Sequence, residues 1–161
     1  MKSKGIHVSQ EVLSELLEYR EDGALLWKVS RGGRHPGDMA GTKDPHGYTL
    51  VSVNGQRYLA HRIIFYMLTG QWPEIVDHIN GDPTDNRIEN LRASSHRLNK
   101  ANSKIRTDNA LGIKGVSPMS NGTFKAICDG KYLGLFKTIE DAHAAYKRIA
   151  KEAFGDFARF E

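Results

Sequence analysis

The sequence predicts an α+β protein made of two small units, and three observations carry that expectation. Asn-Gly and Asp-Gly dipeptides sit between strand-like runs at residues 54–55, 121–122 and 129–130, the favoured chemistry of tight β-hairpins. Apolar stripes at helical spacing lie between or after those hairpins, as in Ala142, Ala145, Tyr146, Ile149, Ala150, Ala153 and Phe154. A polar stretch without periodicity, Asn102 to Leu111, separates the two halves. The expected division is a first domain over 1–103, a linker over 104–111 and a second domain over 112–161. A chain of 161 residues has room for one ordinary domain or two small ones.

In the first half, Ser9 is placed to cap a short helix whose apolar positions Val12, Leu13, Leu16 and Leu17 share one face. Asp22-Gly23 turns the chain into a strand over Ala24–Val29, and the Gly-rich, charged stretch from Arg31 to Gly41 reads as a loop. Tyr48–Val53 and Gln56–Ala60 form a hairpin around Asn54-Gly55, and His61–Thr69 is an apolar helix stopped by Gly70 and Pro73. Glu74–His78 is a short strand, Asn80–Asn86 a turn-rich loop, and Ile88–Arg92 a returning strand. Ser94 or Ser95 then caps a helix bearing His96, Asn99 and Asn102. The second half reads as three strands and a helix, the helix opened by Thr138 and Asp141 in capping-box spacing and closed by Gly155.

Composition narrows the class. Hydrophobic residues make up 39% and charged residues 26%, ordinary values for a globular chain. No apolar run approaches the ~20 residues of a membrane span, and Met1–Gly5 lacks the features of a secretory signal. The expected location is therefore the cytoplasm of a bacterial or phage-infected host cell, with no membrane partner. Cys128 is the single cysteine, so no disulfide framework and no cysteine-based zinc site is expected. The net charge of +4 is modest, but its distribution is not even. Arg87, Arg92, Arg97, Lys100, Lys104 and Arg106 face only Glu89 in one short stretch, which suits a surface that neutralises phosphates. The same pattern is also what a solvated basic helix face would carry.

Asp77-His78 is the constellation with chemistry in it. A hard cation such as Mg²⁺ takes oxygen ligands, needs one or two protein groups, and completes its shell with water and phosphate. Asp77 offers a carboxylate and Asn99 an amide oxygen; His78 titrates near neutrality and can take a proton from an attacking water. Two roles are open to Asn90: holding the second ring nitrogen of His78, or bonding the hairpin backbone. Asn80, Asp82, Asp85 and Asn86 read as turn formers rather than a Ca²⁺ loop. His96 is either a metal or phosphate contact or simply exposed, and His61 either structural or a phosphate contact.

Asp77-His78, Asn90 and Asn99, with the run Val76–Arg92 and the upstream Leu59-Ala60-His61-Arg62, resemble the ββα-metal motif of HNH endonucleases of phages and mobile introns. The resemblance spans about residues 20–103, in the variant whose last motif position is Asn rather than His. It implies one divalent metal on Asp77 and Asn99, Mg²⁺ or else Mn²⁺, with His78 as general base and Asn90 as its orienter. Cleavage would leave 5′-phosphate and 3′-hydroxyl ends on double-stranded DNA.

The second half has its own reading. Along its middle strand Phe124, Ala126 and Cys128 alternate with Lys125 and Ile127, so one face of the three-stranded antiparallel sheet meets the helix and the other is bare. A small sheet with a bare polar face suits the DNA major groove. Gly115-Val116, Tyr132–Phe136, Asp141–Tyr146 and Phe154-Gly155 resemble the AP2 DNA-binding domain. That resemblance puts Lys114, Ser117 and Tyr132 at contacting positions, while Lys125 and Lys131 would meet phosphates. Ser117 and Met119 stand where the family usually has arginines.

The combined expectation is a metal-dependent, homing-type HNH DNA endonuclease with an AP2-like DNA-binding unit. The rival is a DNA-binding regulator with a silent nuclease fold.

Overall fold

Ser9 opens the first helix as its chemistry dictates. Its hydroxyl accepts from the Val12 N–H at 3.4 Å, and α1 runs Gln10–Leu16 in a computed structural model that describes residues 5–30 and 32–160. Met1–Lys4, and Arg31 at the start of the expected loop, lie outside the described residues. Leu17, expected to end the helical face, instead starts β1 (Leu17–Tyr19), which pairs antiparallel with β2 (Leu25–Trp27). The side chain is buried either way, which is why spacing alone reads it as helix.

β3 (Thr42–Lys43), β4 (Thr49–Val53) and β5 (Gln56–Leu59) form a second antiparallel sheet. Asn54 and Gly55 both take positive φ, 49° and 78°, as a type I′ turn requires. β5 runs directly into α2 (Ala60–Thr69), which Gly70 ends in the left-handed conformation with its N–H bonded to the Tyr66 carbonyl. Next comes the ribbon of β6 (Ile75–His78) and β7 (Leu91–Ser94), where Asp77 faces Arg92 and His78 faces Leu91. The returning strand begins later than expected, because Ile88–Asn90 closes into a 3-10 turn. α3 spans His96–Asn102.

The chain divides into two compact units, Met1–His96 and Arg97–Glu161. The break falls before the expected boundary at 103, so nearly all of α3 and the stretch 104–111 count with the second unit. One cluster fills the first unit, with Leu13, Leu17, Val51, Val53, Ile63 and Ile64 almost wholly buried. Trp27, Val76 and Leu91 join it, so the hairpin that carries Asp77-His78 is anchored on this core.

The second unit holds the antiparallel sheet β8 (Val116–Pro118), β9 (Phe124–Cys128) and β10 (Lys131–Phe136), with β9 central, and the helix α4 (Ile139–Phe154) across it. Thr138 caps α4 by accepting from the Asp141 N–H at 3.1 Å. The expected stripe is the buried one: Ala142, Tyr146, Ala150 and Phe154. Asp129-Gly130 takes the two positive φ values of a tight turn, whereas Asn121-Gly122 belongs to a longer loop in which only Gly122 does. No helix among the described residues is long and apolar enough to cross a membrane.

Candidate active site

The β6–β7 ribbon buries its functional residues. Asp77 is 6% exposed and His78 5%, and Asp77 is the only buried carboxylate among the described residues. An acid in that position needs a compensating charge. Arg92, its cross-strand partner, supplies it, with Nε and Nη2 both 3.1 Å from Asp77 Oδ2. Arg92 thus stands against the carboxylate, not on an open basic face as the charge pattern suggested.

His78 is held from the loop. Its Nε2 lies 3.0 Å from Asn86 Oδ1, a residue itself 6% exposed. A carboxamide oxygen only accepts, so Nε2 is the donor in this contact. The HNH resemblance gave this task to Asn90, and here the structure corrects it in favour of the other role left open, bonding within the loop. Both amide atoms of Asn90 are used within the loop. Oδ1 accepts from Asn80 N at 3.0 Å, while Nδ2 donates to Asn80 Oδ1 at 3.1 Å and to the Asp85 carbonyl at 2.8 Å. The 3-10 turn accounts for the exchange: it withdraws Asn90 from the strand that pairs with β6 and leaves Leu91 opposite His78.

The loop residues behave as turn formers. Asn80 Oδ1 accepts from Asp82 N, and Asp82 Oδ1 from Thr84 N. Arg87 clamps Asp85 at 2.8 Å and Glu89 at 2.9 Å, and its hydrogen bonds draw the Asp85 carboxyl down to about 2. This arginine, expected to meet DNA, therefore braces the loop. Tyr19 supports it too, its hydroxyl accepting from Ile88 N at 3.0 Å.

Two further rings complete the site. His61, on the first turn of α2, is 4% exposed, and its ring centroid lies 4.7 Å from that of His78, edge-on at 63°. Burial, then His78 and Arg62, push the His61 imidazole down to about 3. Tyr48, immediately before β4, lies 5.6 Å from His61 and 6.1 Å from His78 by ring centroids. Burial raises the Tyr48 phenol, with Asp44 and Asp77 adding to the effect. Arg62 turns the other way, donating to the Pro73 and Glu74 carbonyls just before β6. Asn86 and Tyr48 had no signal of their own in the sequence; each reads as an ordinary turn or strand-edge residue.

The other expected contacts fall in the second unit. Asn99 is exposed on α3, as are Lys100 and, beyond the helix, Lys104. Arg97 pairs with Asp129 at 2.7 Å and lies over the Phe154 ring, and Arg106 pairs with Asp108 at 2.7 Å. Lys114 is half-buried, its Nζ donating to the Ala101 carbonyl at 2.8 Å. All five of these cations line one cavity of about 400 Å³. On the sheet, Ser117 pairs with Lys125 and Tyr132 with Ile127, which sets these four on the face away from buried Ala126 and Cys128. Lys131 pairs with Cys128 and so belongs by register to the other face. His96, in the first unit, is exposed and lies 3.4 Å from Glu74.

An oxygen donor such as a carboxylate suits a hard cation. Among the described residues no three His, Cys, Asp or Glu side chains group together; Asp77 is a carboxylate of the first unit and Asn99 an exposed carboxamide of the second.

Asp77 and His78 thus form a buried pair at the end of a hairpin strand. The model of the family described as HNH endonuclease matches residues 58–101, from the end of β5 through most of α3. Protein 3.8 of Escherichia phage T7 is 33% identical over 91 residues, covering 53% of this chain and 74% of that protein. The chain belongs to the HNH endonuclease family. No solved structure matches it. Family membership implies nuclease chemistry with a divalent metal and a nucleic-acid substrate.

Proposed function

We propose that this protein is a Mg²⁺-dependent DNA endonuclease of the homing type, with His78 as general base and one metal ion on Asp77 and Asn99. The observation that supports the reading is the His78–Asn86 contact, which engages Nε2 of a buried histidine and leaves proton acceptance to Nδ1 in this proposal. His78 Nδ1 takes a proton from water as the water oxygen bonds to phosphorus. The P–O3′ bond then breaks and the departing 3′ oxygen takes a proton from solvent water, leaving a 5′-phosphate and a 3′-hydroxyl. When bound, the metal would neutralise charge on the phosphate and on the departing 3′ oxygen. Asn90 serves indirectly, by fixing the loop that ends at Asn86.

The second unit, in this reading, is an AP2-like DNA-binding module. Its exposed face carries Ser117, Lys125 and Tyr132, while Lys100 and Lys104 add charge from α3 and the segment beyond it. Phosphate contacts of this kind hold DNA with little choice of sequence.

Supercoiled plasmid incubated with the full chain tests the proposal. Nicked or linear product is expected with Mg²⁺ or Mn²⁺ and none with EDTA. His78→Ala is expected to abolish cleavage while DNA binding stays within a few-fold of wild type. Tight binding with no cleavage of any DNA in either metal would point instead to a DNA-binding regulator.

A further inference from the structure

His61 is more than nine-tenths buried, yet its ring has no hydrogen-bond partner among the described residues. Its ring packs against those of His78 and Tyr48. A ring nitrogen left without a protein partner beside a proposed reacting group is a candidate for a substrate contact. The backbone around it has the same character. Leu59 stands at the N-cap of α2 and gives no side-chain cap, and the first turn carries no acidic residue. The N–H groups of such a turn lack intrahelical partners and present partial positive charge. α2 is a ten-residue helix, long enough for that end to attract an anion.

We propose that His61 and the uncapped first turn of α2 form the anion side of the nuclease site, receiving a non-bridging oxygen of the DNA phosphate on which His78 acts. The proposal rests on the endonuclease reading above and adds a substrate-binding residue to it. The geometry commits His61 to this place. Its ring stands edge-on to that of His78, 4.7 Å between centroids, next to the base that would activate the attacking water. A cation there would meet the positive end of the helix. The low affinity of His61 for a second proton agrees with this role, since a neutral imidazole still has one N–H to donate. Tyr48 keeps the two rings in place by packing against both.

His61→Phe keeps the ring and its packing but removes the donor; His61→Gln restores a donor at similar reach. In single-turnover cleavage of plasmid DNA at saturating protein, His61→Phe is expected to be slower by about 100-fold, the scale of losing one donor to a developing oxyanion. Binding should change only a few-fold, and His61→Gln should recover part of the rate. A second readout is independent of cleavage: the ¹⁵N resonances of the His61 ring in the full chain, followed in EDTA as a short DNA duplex is added. They are expected to shift as the duplex saturates. Cleavage by His61→Phe at the wild-type rate, or ring resonances that stay fixed in the saturated complex, would overturn the proposal. Wild-type protein that never cleaves while the ring resonances respond would sink the endonuclease reading and leave the anion site standing.

Discussion

Asn86 and His61 act on His78 from two sides, and each makes a separate prediction. Replacing Asn86 by Ala removes the acceptor that keeps the proton on Nε2. Both tautomers of His78 then become available, and cleavage is expected to fall by up to about 100-fold with DNA affinity little changed. Asn86→Asp keeps an acceptor and should retain more activity than Asn86→Ala in the same plasmid assay. His61 governs the acid limb of stability. Its folded-state pKa of about 3 lies below the ordinary imidazole value of 6.5 because of burial, His78 and Arg62. The unfolded chain therefore binds a proton that the folded chain refuses. That stability is fully present above pH 6.5 and is lost as the pH falls toward 3. His61→Phe should flatten the drop in thermal midpoint between pH 7 and pH 5; an equal drop in both proteins would refute the assignment.

Two glycines govern the placement of whole elements. Gly23, in the turn between β1 and β2, has φ +89°, and a Cβ there would stand 2.7 Å from Arg87 N and 2.8 Å from the Asn86 carbonyl carbon. Backbone cannot yield as a flexible side chain can. Gly23→Ala is expected to cost about 1–3 kcal/mol and to slow cleavage further by displacing Asn86. Gly115, beside β8, has φ +69°, and its Cβ would lie 2.3 Å from the Tyr146 ring and 2.5 Å from the Ile127 carbonyl oxygen. Gly115→Ala should loosen the second unit and weaken DNA binding. Chemical denaturation alongside the cleavage assay separates the two: loss of rate beyond loss of fold is expected for Gly23 alone.

Across the whole molecule, the place to cut the chain follows from the packing of α3. Leu98 and Ala101 belong to the cluster of Cys128, Tyr146, Ala150 and Phe154. Truncation after residue 111 would strand these side chains in water, whereas truncation after His96 leaves the first unit with its own core intact. The shorter chain is expected to unfold cooperatively and the longer one to expose apolar surface, which dye binding would detect. The 161-residue chain and its 1–96 fragment should also differ in the salt dependence of DNA affinity. The fragment is expected to show the flatter slope, because Lys100, Lys104 and Lys125 are gone. Equal slopes would argue that the second unit does not grip phosphates.

Much of this was open to a reader of the sequence alone, for a physical reason. Hairpin turns, helix caps and apolar stripes depend on residues a few positions apart. Asn54-Gly55, Ser9, Thr138 and the stripe of α4 accordingly took the forms their chemistry demands. Asp77-His78 was legible in the same way, as adjacent residues at the end of a strand. Tertiary structure decided which groups those two residues meet. The 3-10 turn over Ile88–Asn90 gave His78 to Asn86 and kept Asn90 for the loop, and strand register gave Arg92 to Asp77. The meeting of His61 and Tyr48 with His78 needed three separate segments to fold against one another. Local spacing specifies an element, but a buried polar group takes its partner from whatever the folded chain brings within hydrogen-bonding reach.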